Sequence, residues 1–324
     1  MDPQAAALYD NVRKVIFGKD PVVKLALTAL LADGHLLIED APGLGKTMLA
    51  RAIAKSISAT FKRIQFTPDL LPSDVTGVTV FAPAKQEFEF FPGPIFTQLL
   101  LADEINRTSP RTQSSLLESM EEGQVSVDGK THELPTPFFV VATQNPVELE
   151  GTYPLPEAQL DRFLMRIELG YPSETEEIRI LQQQVNEHPI EQLSAVMDAE
   201  TLARLQTKVK SVRLSTEIHQ YITAIVRATR EMRETRLGVS PRGGVALMKA
   251  ARAHSFLHGL SFVSPDSVKR VATSVLGHRL VLDPQAEYTG ISKVDVIQKV
   301  LKSVPVPTLP HDQARDSVGD QVEG

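Results

Sequence analysis

The chain has 324 residues, a length that suggests two domains, and its 42% hydrophobic and 23% charged residues are ordinary for a soluble globular protein. A formal net charge of −6 provides no overall basic field to recruit nucleic acid, and the absence of cysteine excludes disulfides and cysteine-ligated zinc or iron–sulfur centres. The opening MDPQAAALYDNVRKV lacks the basic-then-apolar design of a signal peptide, and no apolar run reaches bilayer length, so a cytoplasmic protein without a membrane span is expected.

Residues 1–34 read as helical. Leu8, Val12, Val15 and Ile16 share one face, and Val22, Leu25, Ala26, Ala29 and Leu30 share another. The apolar turn between them, Val15-Ile16-Phe17-Gly18, reads either as core or as a shelf for an adenine ring. Leu36-Leu37-Ile38 is an unbroken apolar run that suits a strand buried on both faces. Pro42-Gly43-Leu44-Gly45 interrupts it, Lys46-Thr47-Met48 follows, and Leu49, Ile53 and Ile57 recur at helical spacing. Strand, glycine loop, helix is the architecture of a phosphate-binding loop. Gly43 and Gly45 let backbone N–H groups close on phosphate oxygens, and the new helix aims its unpaired N–H groups at the same anion. Lys46 can reach the β- and γ-phosphates, and Thr47 can offer its hydroxyl to Mg²⁺. Asp40 stands where the general pattern has its first glycine; Asp tolerates left-handed backbone, so the turn is expected to survive.

Phe61–Phe66 is expected to be a second strand and residues 67–77 a loop. Val78–Phe81 and Phe88–Phe91 read as a hairpin closed by Pro92-Gly93-Pro94. The buried run Leu99–Ala102 then delivers Asp103 and Glu104 to a strand's carboxyl end, where ligands bind in open α/β sheets. Asp103 can hold Mg²⁺ through water, and Glu104 can polarise the water that attacks the γ-phosphate. A helix over Gln113–Met120 turns Leu116, Leu117 and Met120 inward. Gln124–Val127 and Thr131–Leu134 flank Asp128-Gly129-Lys130, a strong hairpin signal. Phe138–Thr143 is a further buried strand, stopped by Asn145-Pro146; Asn145 reads as a turn cap or as a group orienting the attacking water. Glu157–Phe163 suggests a short helix and Leu164–Leu169 a last strand. Arg162, near the end of the first of these, is either a surface ion-pair residue or a group reaching a neighbouring subunit's nucleotide.

After Pro172 the pattern is helical. Ile178, Leu181 and Val185 form one stripe, Leu202, Leu205 and Val209 another, and Ile218, Tyr221, Ile222, Ile225 and Val226 a third. Ser240-Pro241-Arg242 reads as the start of a fourth helix ending near Gly259, and Ser264-Pro265 opens a fifth. The division expected is a nucleotide-binding α/β unit over 1–172, an all-α unit over 173–303 and a flexible polar tail over 304–324. His254 and His258 have chelating spacing, but Ser255 stands where a zinc-protease motif needs Glu, so both read as structural. Ser292-Lys293-Val294-Asp295 is similar to the guanine-reading tetrapeptide of GTPases. With Ser in the key place and no buried strand before it, that likeness is discounted.

Taken together these residues resemble an AAA+ ATPase, and more narrowly the MoxR family. The likeness runs from about Val15 to Pro307 and is carried by GHLLIEDAPGLGKT, TPDLLPSDVTG, FPGPIF, LLLADEINRTSP, SLLESMEEGQVSVDG, ATQNP, EAQLDRF and SPRGG. The two hairpins match two insertions of that clade, one within helix 2 and one before the sensor 1 strand. The resemblance implies a parallel five-stranded sheet in the order 5-1-4-3-2 with a smaller all-α lid. It implies ATP/ADP and Mg²⁺ as ligands and a hexameric ring, with a monomer as the isolated state, hydrolysing ATP at subunit interfaces. On that likeness Asn145 is sensor 1, Arg162 an arginine finger acting in trans, and Arg242 sensor 2, contacting the γ-phosphate from the lid. It further implies chaperone-like maturation of a client protein, often beside a partner carrying a von Willebrand A domain with its own metal site. The alternatives are a nucleic-acid motor or loader, a chelatase motor subunit and a nucleotide-gated scaffold. One lysine beside an acid at the tip Val127–Thr131 speaks against strand gripping, and intact Asp103 and Glu104 speak against a scaffold without hydrolysis.

Overall fold

Leu36, Leu37 and Ile38 are fully buried because their strand has a neighbour on each side and a packed layer on each face. The computed structural model describes residues 2–146, 151–183 and 189–307. Helices α1 (Pro3–Arg13) and α2 (Asp20–Leu31) lead into β1 (His35–Glu39), followed by α3 (Lys46–Ser56), β2 (Phe61–Gln65) and the short α4 (Pro72–Thr76). A hairpin of β3 (Gly77–Ala82) and β4 (Glu87–Pro92) precedes β5 (Leu99–Asp103) and α5 (Pro110–Glu122). A second hairpin, β6 (Gln124–Val127) and β7 (Lys130–Glu133), precedes β8 (Phe139–Gln144), α6 (Glu157–Leu160) and β9 (Phe163–Ile167).

The central sheet has the order β2-β5-β8-β1-β9, with every pairing parallel. Counting only the sheet strands, this is the expected 5-1-4-3-2. Side chains alternate across it. Leu36 and Ile38 join Leu27, Leu49 and Ile53 on one face, while Leu37 joins Leu116, Leu117 and Val140 on the other.

The helical part comprises α7 (Glu174–Gln183), α8 (Ala199–Lys210), α9 (Thr216–Glu231), α10 (Pro241–Leu257), α11 (Pro265–Leu276), α12 (Pro284–Tyr288) and α13 (Lys293–Ser303). A small antiparallel ribbon of β10 (Thr235–Leu237) and β11 (Val281–Leu282) joins α9 to the end of α11. This part covers the open edge of the sheet at β9. Buried Arg279 donates to the Phe163 carbonyl at 2.7 Å and the Leu164 carbonyl at 3.2 Å, groups an uncovered edge strand would leave to water.

Several expectations are refined. The loop expected over 67–77 contains α4, opened by Pro72, so the helix 2 that should hold the first hairpin is reduced to the five residues before it. The short helix expected to reach Phe163 stops at Leu160, and β9 begins at Phe163, whose ring is fully buried in the sheet's second core. The stripes on α8 and α9 are buried as expected. That on α7 is not: Ile178 is 47% and Leu181 70% exposed, because this helix turns Ile180 and Leu181 toward a cavity and not into the helical core. Val185 and the tail beyond 307 lie outside the described residues. Ser240 starts α10 without a side-chain cap bond. The GTPase-like tetrapeptide is a capping box: Ser292 Oγ accepts from the Asp295 N–H and Asp295 Oδ2 from the Ser292 N–H. His254 and His258 face each other with ring centroids 4.1 Å apart, and no group of three or more metal-ligating side chains exists among the described residues. Nor is any described helix long and apolar enough to cross a membrane.

Three histidines are held neutral. Burial lowers the pKa of His35 and His278, and of His254 to about 4. His35 Nδ1 accepts from the Val140 N–H, an arrangement that protonation destroys. These groups bind fewer protons folded than unfolded, so their stability contribution is complete above their unfolded pKa near 6.5 and is lost as pH falls below it, for His254 down to about 4. The thermal midpoint is therefore expected to fall steadily between pH 7 and pH 5 in a calorimetric series. A midpoint constant across that range would contradict the assignment.

Candidate functional site

The phosphate loop departs from β1 at Asp40. Gly43 and Gly45 adopt φ of +83° and +91°, the left-handed region where a Cβ is strained. Gly45 is the N-cap of α3 and has no side chain to offer, so the first-turn N–H groups point at a ligand site. Lys46 is buried, and Nζ donates to the Asp40 carbonyl at 2.6 Å. Burial lowers its pKa, opposed by the charges of Asp103, Asp40 and Glu104. The loop and the two acids therefore do converge. The turn is formed with Asp40 outside the left-handed region, so that tolerance is not drawn on; its carboxylate accepts the backbone N–H groups of Leu169 and Gly170.

Parallel pairing carries β5, β8 and β1 to one common edge. Asp103 ends β5 with both oxygens engaged. Oδ1 accepts from the Thr143 hydroxyl at 2.6 Å, and Oδ2 accepts from Arg63 Nε at 3.0 Å and Nη2 at 2.6 Å. Glu104 follows in the left-handed region, φ +59°, with its N–H donating to the Thr143 hydroxyl oxygen at 2.9 Å. Its Oε2 accepts from Gln65 Nε2 at 2.8 Å and Arg107 Nη1 at 3.1 Å. Asn145, buried, lies one residue beyond β8 at the same edge. Thr47 and Asp103 supply the hard oxygen donors that Mg²⁺ takes, and Asp103 already faces one cation, so the donor set fits that metal.

Thr143, Arg63 and Gln65 escape a reading of the sequence. Thr143 sits within an apolar strand run, and Arg63 and Gln65 look like the solvated side of β2. Only the register, which pairs Gln65 with Asp103, reveals their position.

A cavity of about 560 Å³ opens beside the loop. Ile16, Phe17, Leu44 and Met48 line it from one side, and Tyr171 and Leu181 from the other. The apolar turn ahead of β1 is part core and part cavity wall: Ile16 is buried, and Phe17 sits under the Arg179 guanidinium at 4.3 Å. Pro42, Gly43 and Gly45 line the cavity too, whereas Gly18 does not.

Arg162 and Arg242 are elsewhere. Arg162 Nε donates to Glu121 Oε2 at 2.9 Å, and Arg242 bonds the other oxygen of Glu121 while lying 3.7 Å from Asp161. The two arginines hold the Glu121 pKa below its ordinary value, the Arg162 hydrogen bond first among the causes that lower it. Arg162 immediately precedes Phe163, which pairs with His35 at the amino end of β1. The loop begins five residues further on, roughly 16 Å along the strand. Arg242, implied by resemblance to contact a γ-phosphate, is thus brought to Arg162 and not to the loop of its own chain.

A glycine loop at a helix start, paired acids at the neighbouring strand end and a helical lid on a 5-1-4-3-2 sheet define an ATPase of the AAA+ class. The family model described as "ATPase family associated with various cellular activities (AAA)" matches residues 35–165, and that for the AAA lid domain matches 227–300. The chain is 53% identical to the protein YeaC of Bacillus subtilis over 95% of its own length and 96% of that protein's. It is 40% identical to Chaperone MoxR1 of Mycobacterium tuberculosis, over 92% and 81% of the two lengths. A solved structure from Cytophaga hutchinsonii superposes with a TM-score of 0.88 at 37% identity, covering 94% of this chain and 95% of that one. The chain belongs to the MoxR family of AAA+ ATPases.

Thr143 bridges both acids, so Thr143→Val removes a donor from Asp103 and the acceptor of the Glu104 N–H. Such a loss costs about 1–3 kcal/mol. ATP turnover is expected to fall about tenfold with only a modest drop in the thermal midpoint. Unchanged turnover would show that the bridge does not position the acids.

Proposed function

We propose that this ATPase is Mg²⁺-dependent, that its hydrolytic sites are completed between copies arranged in a hexameric ring, and that the cycle drives remodelling or maturation of a partner protein. The observation carrying this reading is the separation of Arg162 and Arg242 from the loop of their own chain. A guanidinium stabilises a transferring phosphoryl group only in contact with it, so their distance from their own loop supports a role at a neighbour's nucleotide.

On this reading the cavity at Ile16 and Phe17 takes the adenine, the loop N–H groups and Lys46 take the phosphates, and Thr47 and Asp103 hold Mg²⁺. The metal, when bound, neutralises phosphate charge. Glu104 orients the attacking water and accepts its proton, with Asn145 as the second polar group on that water. Arg162 and Arg242 of the adjacent copy complete the charge balance. The proposed division is a nucleotide-binding unit over 1–172, a lid over 173–303 and a tail over 304–324, in a cytoplasmic protein.

A protein client is favoured over nucleic acid by the first hairpin. Its Phe81, Phe88 and Phe91 are about half exposed or more, an apolar surface suited to protein and not to phosphates. The relative named Chaperone MoxR1 supports the same direction, and a partner with a von Willebrand A domain remains part of the proposal.

Arg162→Ala is expected to bind ATP and to lose turnover by about 10³-fold or more. Glu104→Gln is expected to hold ATP without releasing product, and mixing the two variants should recover partial activity at mixed interfaces. Wild-type turnover by Arg162→Ala in the assembled ring sinks the inter-copy site. Stimulation by single- or double-stranded DNA would move the reading to a nucleic-acid motor, and recovery of a tetrapyrrole-metallating partner with ATP-locked Glu104→Gln would move it to a chelatase.

A further inference from the structure

Asp40 follows the last residue of β1 and occupies the first position of the phosphate loop, where the general pattern has glycine. Its Oδ2 accepts from the N–H groups of Leu169 and Gly170, both at 2.7 Å, and its Oδ1 from the Ala41 N–H at 3.0 Å. Leu169 and Gly170 are the second and third residues of the linker that leaves β9 and reaches α7 through Tyr171 and Pro172. The linker is gripped a second time by Lys19, whose Nζ donates to the Tyr171 carbonyl at 2.6 Å. Leu169 also approaches the loop from above, its Cδ2 4.0 Å from the position of a Cβ on Gly45.

The other face of Asp40 meets the catalytic lysine, since its carbonyl accepts from Lys46 Nζ at 2.6 Å. One residue therefore touches both the cation that engages phosphate and the segment that carries the lid. A glycine here would keep the carbonyl and lose the clasp. The carboxylate thus serves something other than phosphate binding.

We propose that Asp40 is a positioning residue that ties the phosphate loop to the β9–α7 linker, so that occupancy of the loop is transmitted to the lid. The proposal rests on the Lys46 loop being the triphosphate site. A phosphate that draws Lys46 away frees the Asp40 carbonyl. The Asp40–Ala41 turn then readjusts, and the carboxylate carries that shift to the Leu169 and Gly170 amides. Gly170 has φ +65° and nothing within 4 Å of its Cβ position, so the linker can turn there without a steric barrier. The cavity wall formed by Tyr171, Ile180 and Leu181 moves with it, which couples the phosphate end of the nucleotide to its adenine end.

The test compares full-length wild type with Asp40→Gly and with the near-isosteric Asp40→Asn, which keeps one oxygen acceptor without the charge. Affinity is read with a fluorescent ATP analogue, and hydrogen exchange is followed over residues 168–182 with and without a non-hydrolysable ATP analogue and magnesium. In wild type, nucleotide is expected to slow exchange across the linker and α7. In Asp40→Gly the Leu169 and Gly170 amides should exchange about tenfold faster without nucleotide, as loss of charge-assisted hydrogen bonds requires. Affinity should stay within about tenfold, and the nucleotide-induced slowing at α7 should disappear. kcat should fall more than KM rises, with Asp40→Asn intermediate. Equal slowing at α7 in Asp40→Gly and wild type overturns the proposal, as does unaltered exchange at the two amides. So does a common loss of nucleotide affinity in both variants, which would make Asp40 a binding residue. Failure of wild type to bind the analogue at all is a different result, which removes the loop reading itself and the coupling with it.

Discussion

Parallel pairing is the constraint from which the rest follows. When five strands run the same way, all their carboxyl ends reach one edge and all their amino ends the other. The glycine loop after β1, the acids after β5 and Asn145 after β8 meet because Leu36, Leu37 and Ile38 lock β1 between β8 and β9. The same rule sends Arg162, just ahead of β9, to the far edge. A strand of five residues is too long for a side chain to span backward, so the geometry that assembles the phosphate site also removes the arginines from it.

The charged groups around the loop and the strand ends are matched within the chain. Asp103 faces Arg63, Glu104 faces Arg107 and Gln65, and Glu121 faces Arg162 and Arg242. A buried charge without a partner is costly, and Lys46, pushed toward its neutral form by burial, finds a carbonyl and three nearby carboxylates. Arg63 and Thr143 thereby fix where the carboxylate of Asp103 and the backbone of Glu104 lie.

The two hairpins stand on this frame as a joined pair. Phe90 stacks on His132 with centroids 4.0 Å apart, and Phe96 meets the same ring edge-on. The base of the first hairpin is fixed by close backbone approach: a Cβ on Gly77 would lie 2.4 Å from the Phe91 carbonyl oxygen, and one on Gly93 2.3 Å from that of Val75. Above that pinned base the arms carry exposed apolar side chains, Val78, Val80, Phe81, Phe88 and Phe91, and the turn between them is polar at Lys85 and Gln86.

Local chemistry made much of this legible in advance. Short apolar runs, paired glycines before Lys46 and acids at a strand end each have a meaning that depends on nearest neighbours along the chain, and the strand order followed from a resemblance spread over many such segments. Asp40 shows where that reading stopped. Its backbone tolerance was the visible property, while its bonds to Leu169 and Gly170 lie some 130 residues away and exist only because β9 is the neighbour of β1. The exposed stripe of α7 has the same cause, since periodicity reports that a face is apolar but not whether it meets a core or a cleft. Periodicity and short motifs indicated most of the strands and helices, though not α4, and the residue types able to handle phosphate. Tertiary structure decided which charges meet, because hydrogen bonds across strands depend on register, and register is a property of the assembled sheet.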